Sequence, residues 1–448
     1  MLLRADFQSI PFDPAEPRSA LAACPEQSAV FALYGEAANA EPYIGRTPNL
    51  RGRLDRLLIP SPRHPRRLQL AGRVRRIEWR LTGSDFESLL LQFNLLEEVY
   101  GTKCLERMHL GAPSFVRFLG SNRYPRVTVT NRPSQREADW AYGPFASRAA
   151  AERFAEEALK LFLLRRCTED LEPDPSHPGC VYSEMKMCLA PCYKGCSDER
   201  YSEESAAVER FLATRGESRL VQLRSSRDEA SANLEFEAAA ALHSQVQKAE
   251  AVRALAPELV RPLSQLRAVI LQASANPDEV SVFLFDAGCL RGPLAFSTLG
   301  MRIQNEQSGS SSLYAQPMAL EPTLESPDPV ETHGPNPDFS LAEHAAEPDR
   351  ASAPATEPAN GARSRIPRTV LEARMEAVLA DLGTPMDPPD PTLRQGHLAL
   401  LKRWYYRPEA KRPGEIFFPG DDGRWPIRAL LRGAGRIAAK SLTGAGAS

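Results

Sequence analysis

The sequence predicts an α+β protein assembled from several small units. Three observations carry this. Short strand-like stretches at 29–35, 42–47 and 74–82 are interleaved with helical spacing at 49–58 and 86–99. Five of the eight cysteines fall between Cys167 and Cys196. A helical tract from 201 to 255 then gives way to new strand candidates. A chain of 448 residues has room for roughly two to four domains.

Taken in order, residues 1–27 show little patterning. AVFALYG (29–35) reads as a strand and PYIGRT (42–47) as a second. NLRGRLDRLL (49–58) has helical spacing with Asn49 as its cap. VRRIEWRLT (74–82) gives a third strand, and Ser84 or Asp85 caps a helix over 86–99. This β-β-α-β-α unit spans 28–104. Residues 105–200 form a cysteine-rich unit with a strand at 126–131, a turn-rich joint at 139–148 and a helix at 148–164. Residues 201–258 are helical. Leu234, Ala238, Leu242 and Val246 recur at i,i+4, one face of a long helix that forms half of a helical hairpin. A short β unit, RAVILQAS and VSVFLFDAG, occupies 259–300. Positions 301–365 are rich in Pro, Ser, Ala and Glu and read as a disordered acidic linker. A small α/β unit at 366–440 has helices at 368–381 and 392–405.

The formal net charge of -2 hides a strong asymmetry. Segment 46–80 holds eleven arginines against Asp55 and Glu78, whereas 316–353 has Arg350 as its one basic residue. Such a basic face favours a phosphate backbone. No apolar run is long enough to span a membrane, and MLLRADFQSIPFDP lacks the plan of a signal peptide, so a cytoplasmic location is expected. Clustered cysteines in a long cytoplasmic chain favour a metal site over a disulfide scaffold. Their spacing is C-x12-C-x7-C-x3-C, followed by Cys196. Grouped thiolates suit zinc or an iron–sulfur cluster, and the spacing does not choose between them.

AVFALYG…PYIGRTPNLRGRL is similar to the GIY-YIG nuclease motif, and in wider context resembles the N-terminal half of the C subunit of excinuclease ABC. The second half-motif, Tyr43-Ile44-Gly45, is intact, and Arg53 stands where the family's phosphate-contacting arginine stands. Three positions depart. Phe31 replaces the first motif tyrosine, Gln92 the metal-binding glutamate and Cys104 a later asparagine. In the family a tyrosine oxygen helps activate water, and a carboxylate fixes a divalent cation that stabilises the transition state. Phe31 has no oxygen, and a neutral amide is a poor ligand for a hard cation. Neighbours do not compensate. Tyr34 lies at an odd offset from Phe31 on the strand. Asp85 lies about 10 Å from Gln92 along the helix axis, and Glu97 and Glu98 project off that face. No divalent cation is expected at this degenerate site. Arg46, Arg51, Arg53 and Arg56 are its candidate DNA contacts, and Tyr43 and Arg53 its catalytic remnant.

The run CVYSEMKMCLAPC resembles the cysteine loop of the same family, in which four cysteines hold a [4Fe-4S] cluster. That resemblance implies Cys167, Cys180, Cys188 and Cys192 as ligands, with zinc as the runner-up metal. NLEFEAAAALHSQVQ (233–247) resembles the UVR motif, the hairpin used between the B and C subunits. It offers Leu234, Phe236 and Leu242 as partner contacts, with Glu235 and Glu237 at the rim. The family's C-terminal nuclease finds no secure match here. Asp286 is its superficial carboxylate candidate, Asp421 and Asp422 suit an ordinary turn, and WYYRP either packs or stacks on bases. The expected function is a DNA-binding protein of nucleotide excision repair that docks on a B-type subunit and has lost its first nuclease site. The alternative is an active, divergent structure-specific endonuclease.

Overall fold

A computed structural model describes residues 7–37, 40–60, 68–301, 366–384 and 390–444. Apart from Met301, the segment expected to be a disordered linker lies outside the described residues.

The first unit contains β1 (Gln8–Pro11), α1 (Pro17–Ala22), β2 (Ala29–Tyr34), β3 (Tyr43–Thr47), α2 (Leu50–Leu58), β4 (Arg76–Leu81), α3 (Asp85–Tyr100) and α4 (Cys104–Arg107). The predicted β-β-α-β-α order is present as β2 to α3. The lead-in, read as unpatterned, supplies β1 and α1. β1 is a short edge strand that buries little, so it leaves no alternating hydrophobic signal. The sheet order is β1-β4-β2-β3, with every pair antiparallel. The Asn49 side chain accepts from Gly52 N and caps α2, a contact worth about 1 kcal/mol. Leu50, Leu54, Leu57 and Leu58 of α2 then pack beneath Phe31, Leu33 and Trp79.

The second unit contains β5 (Ser114–Phe118), β6 (Val127–Thr130), β7 (Ala141–Phe145), α5 (Arg148–Leu159), the one-turn α6 (Val181–Glu184), α7 (Asp198–Ala213), α8 (Glu217–Ala232), α9 (Phe236–Ala254) and β8 (Arg261–Pro262). Its sheet order is β6-β5-β7-β8. The stretch AYGPF, expected as a turn-rich joint, is the fully buried strand β7. Gly and Pro disguised it, but Gly143 sits where a Cβ would come within 2.5 Å of the Phe115 ring. The long helix expected over 226–255 is broken. Leu234 adopts a left-handed φ of 62° in the turn between α8 and α9. It therefore leaves the face formed by Leu242 and Val246, which pack with Leu220, Leu223 and Ala249.

The third unit contains β9 (Ala268–Ala273), β10 (Glu279–Asp286), β11 (Cys289–Ser297), α10 (Arg368–Leu382), α11 (Pro391–Tyr405), β12 (Glu415–Phe417) and α12 (Ile427–Gly444). The segments 259–300 and 366–440, read separately in sequence, share one sheet of order β11-β10-β9-β12. Strand alternation sends Val269, Leu271, Val280 and Val282 toward α10 and α12. It sends Ala268, Ile270, Phe283 and Phe285 toward α11 and α3.

Helix α3 is therefore clamped between two sheets. Leu91 and Leu95 meet Val30 and Ile44 of the first sheet. Phe86, Leu90, Phe93 and Leu96 enter the core of the third unit. A helix buried on opposite sides is apolar nearly all round, which explains the run ESLLLQFNLLEE. The approach is close: a Cβ on Gly396 of α11 would lie 2.0 Å from Phe93 Cζ, and one on Gly83 2.1 Å from the Ser274 backbone carbon.

Candidate functional site

Phe31 lies opposite Gly45 in the register of β2 and β3 and has no solvent exposure. Its ring occupies the space a side chain at 45 would fill, since a Cβ there would be 2.7 Å from Phe31 Cζ. Tyr43 is two residues along on the same face, with ring centroids 6.1 Å apart. From α2, Arg53 Nη2 donates to the Tyr43 hydroxyl at 3.2 Å. The structure thus brings Phe31, Tyr43, Gly45 and Arg53 together. It does not add an acid to them: among the described residues Arg53 forms no ion pair with a carboxylate. Gln92 is half-buried on α3, which packs against the opposite face of the sheet. Cys104, at the third degenerate position, is a fully buried core residue.

Asp85 is already engaged. Its carboxylate accepts from Arg46 on one oxygen and from Arg407, just past α11, at 2.8 Å on the other. Burial alone would raise its pKa, but the Arg407 hydrogen bond and the charges of both arginines hold it below the usual carboxylate value. The other predicted DNA contacts divide. Arg51 is spent internally on Cys24 O, Glu26 and Ala22 O. Arg56 donates through Nε to Gly52 O and is exposed. Arg63, Arg66 and Arg67 lie outside the described residues.

Two polar groups were missed by the sequence reading. Glu87 is 5% exposed and accepts from Gly83 N at 3.0 Å; burial raises its pKa. It lines a small cavity with Arg80, Leu91, Asn94 and Pro293. The S-x-x-E spacing from Ser84 was the available signal, and it marks a helix start. His397 is buried in the α11–α3 contact. Its Nδ1 accepts from Leu290 N at 3.1 Å, so Nε2 carries the proton and donates to Asn94 Oδ1 at 3.3 Å. Burial pushes its pKa down to about 3. No local pattern announces a residue whose partners come from two other elements.

Cys167, Cys180, Cys188 and Cys192 line one small cavity together with Arg165 and Arg166. Burial pushes Cys188 up to about 11, offset in part by the Ala190 N–H on its sulfur; the other three thiols add to the rise. Burial also raises Cys192. Even so, among the described residues no three His, Cys, Asp or Glu side chains are drawn closely enough together to hold a metal ion. Cys196 is outside the cavity lining and packs against the core of the second unit. His177 caps a turn, accepting from Gly179 N.

At the hairpin tip Leu234 and Phe236 are 71% and 68% exposed, whereas Leu242 is partly buried between α8 and α9. Asp286 is held by Arg267 at 3.3 Å. Asp422 closes a turn by accepting from Arg424 N. In WYYRP, Trp404 is core and Tyr406 donates to Pro144 O, so these two rings pack. Among the described residues no helix is long and apolar enough to cross a membrane.

Comparison with known proteins matches residues 115–211 to the middle domain of UvrC/Cho excinucleases. Those residues run from β5 through the cysteine cavity into α7. UvrABC system protein C of Alcanivorax borkumensis is 29% identical over 238 residues, 53% of this chain and 39% of that protein. The protein of the same name from Francisella tularensis subsp. holarctica (strain LVS) is 26% identical over 246 residues, 55% of this chain and 38% of the relative. No solved structure matches. The chain spans about two fifths of the length of the curated relatives it matches. Over that part of its length, the chain is similar to UvrABC system protein C.

Proposed function

We propose that this chain is a DNA-binding, partner-docking protein of nucleotide excision repair whose GIY-YIG-like first site does not cut. The observation that carries the proposal is the Tyr43–Arg53 pair. It sits beside a buried phenylalanine, with no carboxylate paired to its arginine among the described residues. Phosphate can bind such a pair, and a divalent cation beside it would want a carboxylate, which does not pair with Arg53 among the described residues. Arg53 and Arg56 grip the DNA backbone. Leu234 and Phe236 dock on a B-type subunit, as expected of a tip that leaves two large apolar side chains in water.

The second unit is proposed to hold a [4Fe-4S] cluster, with zinc as the alternative. The donor chemistry supports this reading, although the thiols are not drawn together as a ready-made ligand set: four soft thiols line one cavity, and Arg166 Nε on its wall is buried without a hydrogen-bond partner among the described residues. Cys167, Cys180, Cys188 and Cys192 would be the ligands. The group, when bound, would supply an electron-transfer or architectural centre. An active endonuclease would need another carboxylate site, and Asp286 is committed to Arg267.

The test is an incision assay on damaged and branched DNA. It uses anaerobically purified protein with magnesium or manganese, with and without the B-type partner. Binding without incision is the expected result. Metal-dependent incision by the unmodified chain would overturn the reading.

A further inference from the structure

We propose that Arg165 is the charge-compensating, positioning residue of a tetrathiolate centre at Cys167, Cys180, Cys188 and Cys192. The proposal rests on the metal-centre reading above and adds a residue to it. Arg165 is 2% exposed, which makes it the most buried Lys, Arg, Asp or Glu among the described residues. Its Nε donates to Tyr124 O at 3.1 Å. Its Nη1 donates to Glu169 O at 2.9 Å and to Cys167 Sγ at 3.6 Å. Among the described residues no Asp or Glu forms an ion pair with it. Its acceptors are thus two neutral carbonyls and one sulfur.

That arrangement is electrostatically incomplete. A guanidinium does not shed its proton in a protein, so burial leaves a full charge in a poorly solvating site. A buried cation without an anion is strongly unfavourable unless something nearby supplies the opposite sign. The thiols on the cavity wall supply none while protonated. Once they bind a metal as thiolates, the four sulfurs together outweigh the charge of a divalent ion or an oxidised cluster. The centre is then net anionic, and Arg165 faces its counter-charge.

The surroundings fix the guanidinium in place. Tyr124 and Tyr201 meet edge to face at 5.4 Å. Tyr201 Oη accepts the Arg165 backbone N–H at 3.3 Å and donates to Pro125 O at 2.8 Å. A second N–H···S contact, from Ala190 N to Cys188 Sγ at 3.3 Å, serves another thiol. Donors aimed at ligand sulfurs orient them and favour their anionic form. A mere tie between loop and strand would need only the carbonyl contacts. The contact to Cys167 Sγ and the missing carboxylate are what point to a centre.

The experiment titrates the metal-free chain with cobalt(II), read by its thiolate charge-transfer absorbance. Thermal melts are recorded with and without the metal. Arg165→Gln is expected to weaken cobalt binding by about 10–100-fold. The same variant should melt no lower than the unmodified chain when metal-free, because it removes an uncompensated buried charge. Arg165→Lys keeps the charge and should recover most of the affinity. In a Cys167→Ser background, Arg165→Gln should cost little more, since the guanidinium acts through that sulfur. Unchanged affinity in Arg165→Gln, or an equal drop in melting temperature with and without metal, would overturn the role of Arg165. If the unmodified chain binds no cobalt and takes up no cluster on reconstitution, the metal-centre reading itself fails and the proposal falls with it.

Discussion

Replacing His397 with glutamine should flatten the acid sensitivity of the chain by a predictable amount. The imidazole is buried in the contact between α11 and α3, where burial keeps it neutral and it bonds to Leu290 N and Asn94. Its pKa falls from the ordinary 6.5 to about 3. Above 6.5 it is neutral in both folded and unfolded chains and contributes nothing to pH dependence. Between 6.5 and about 3 the unfolded chain accepts a proton that the folded chain refuses, so stability falls as pH falls. At pH 5, roughly 1.5 units into that window, the loss is about 2 kcal/mol relative to pH 8, at about 1.36 kcal/mol per unit. Other groups barely mimic this. Asp85 has its pKa lowered, so its contribution is lost only as pH drops below its ordinary 3.8. Glu87 has its pKa raised, so acid relieves its penalty and works in the opposite sense. The assay is urea unfolding at pH 8 and pH 5. Glutamine can still accept from Leu290 N and donate to Asn94, so the variant keeps the contact without the titration. The unmodified chain should lose about 2 kcal/mol more than the variant. Equal losses would refute the placement of a neutral, buried His397.

Further predictions follow from the same contacts. Gly396→Ala puts a methyl 2.0 Å from Phe93 Cζ and should lower stability by about 1–3 kcal/mol. Adding Phe93→Leu should recover part of the loss, seen in the urea midpoint. Arg51→Ala should cost about 1–2 kcal/mol of stability and leave DNA affinity unchanged, because its donors are spent on Cys24, Glu26 and Ala22. Arg53→Ala and Arg56→Ala should each reduce the salt slope of DNA binding by about 0.9. Changing Leu234 and Phe236 to serine should abolish capture of the B-type partner without moving the melting temperature, since both side chains are exposed at the tip.

Local chemistry was legible in the sequence, and long-range pairing was not. Asn49 and Ser84 cap α2 and α3 as the residue types require. The four cysteines that their spacing grouped do share one cavity. What escaped was every feature set by a distant partner. β12 is three residues long and acquires its meaning only from pairing with β9 across the undescribed segment. β7 contains Gly and Pro, and only its burial on both faces reveals it as a strand. Leu234 fits a helical repeat perfectly well, yet the hairpin turns there, and among the described residues it is the most exposed of the large apolar side chains.

The identity of residue 92 and the clamping of α3 bear on one electrostatic question. In the resembled nuclease this helix would carry a metal carboxylate. Here α3 is the wedge that joins the first and third units, and the charges at its start come from both. Asp85 sits between Arg46 of β3 and Arg407 of the third unit, so that end carries two guanidinium groups against one carboxylate. Such a surplus attracts phosphate and disfavours a divalent cation. Glu87, the other early acid of the helix, is buried against Gly83 N and lines the inter-unit cavity. The physical consequence is that α3 keeps two units in register, and the DNA-backbone binding proposed for the first unit must come from residues off this helix core.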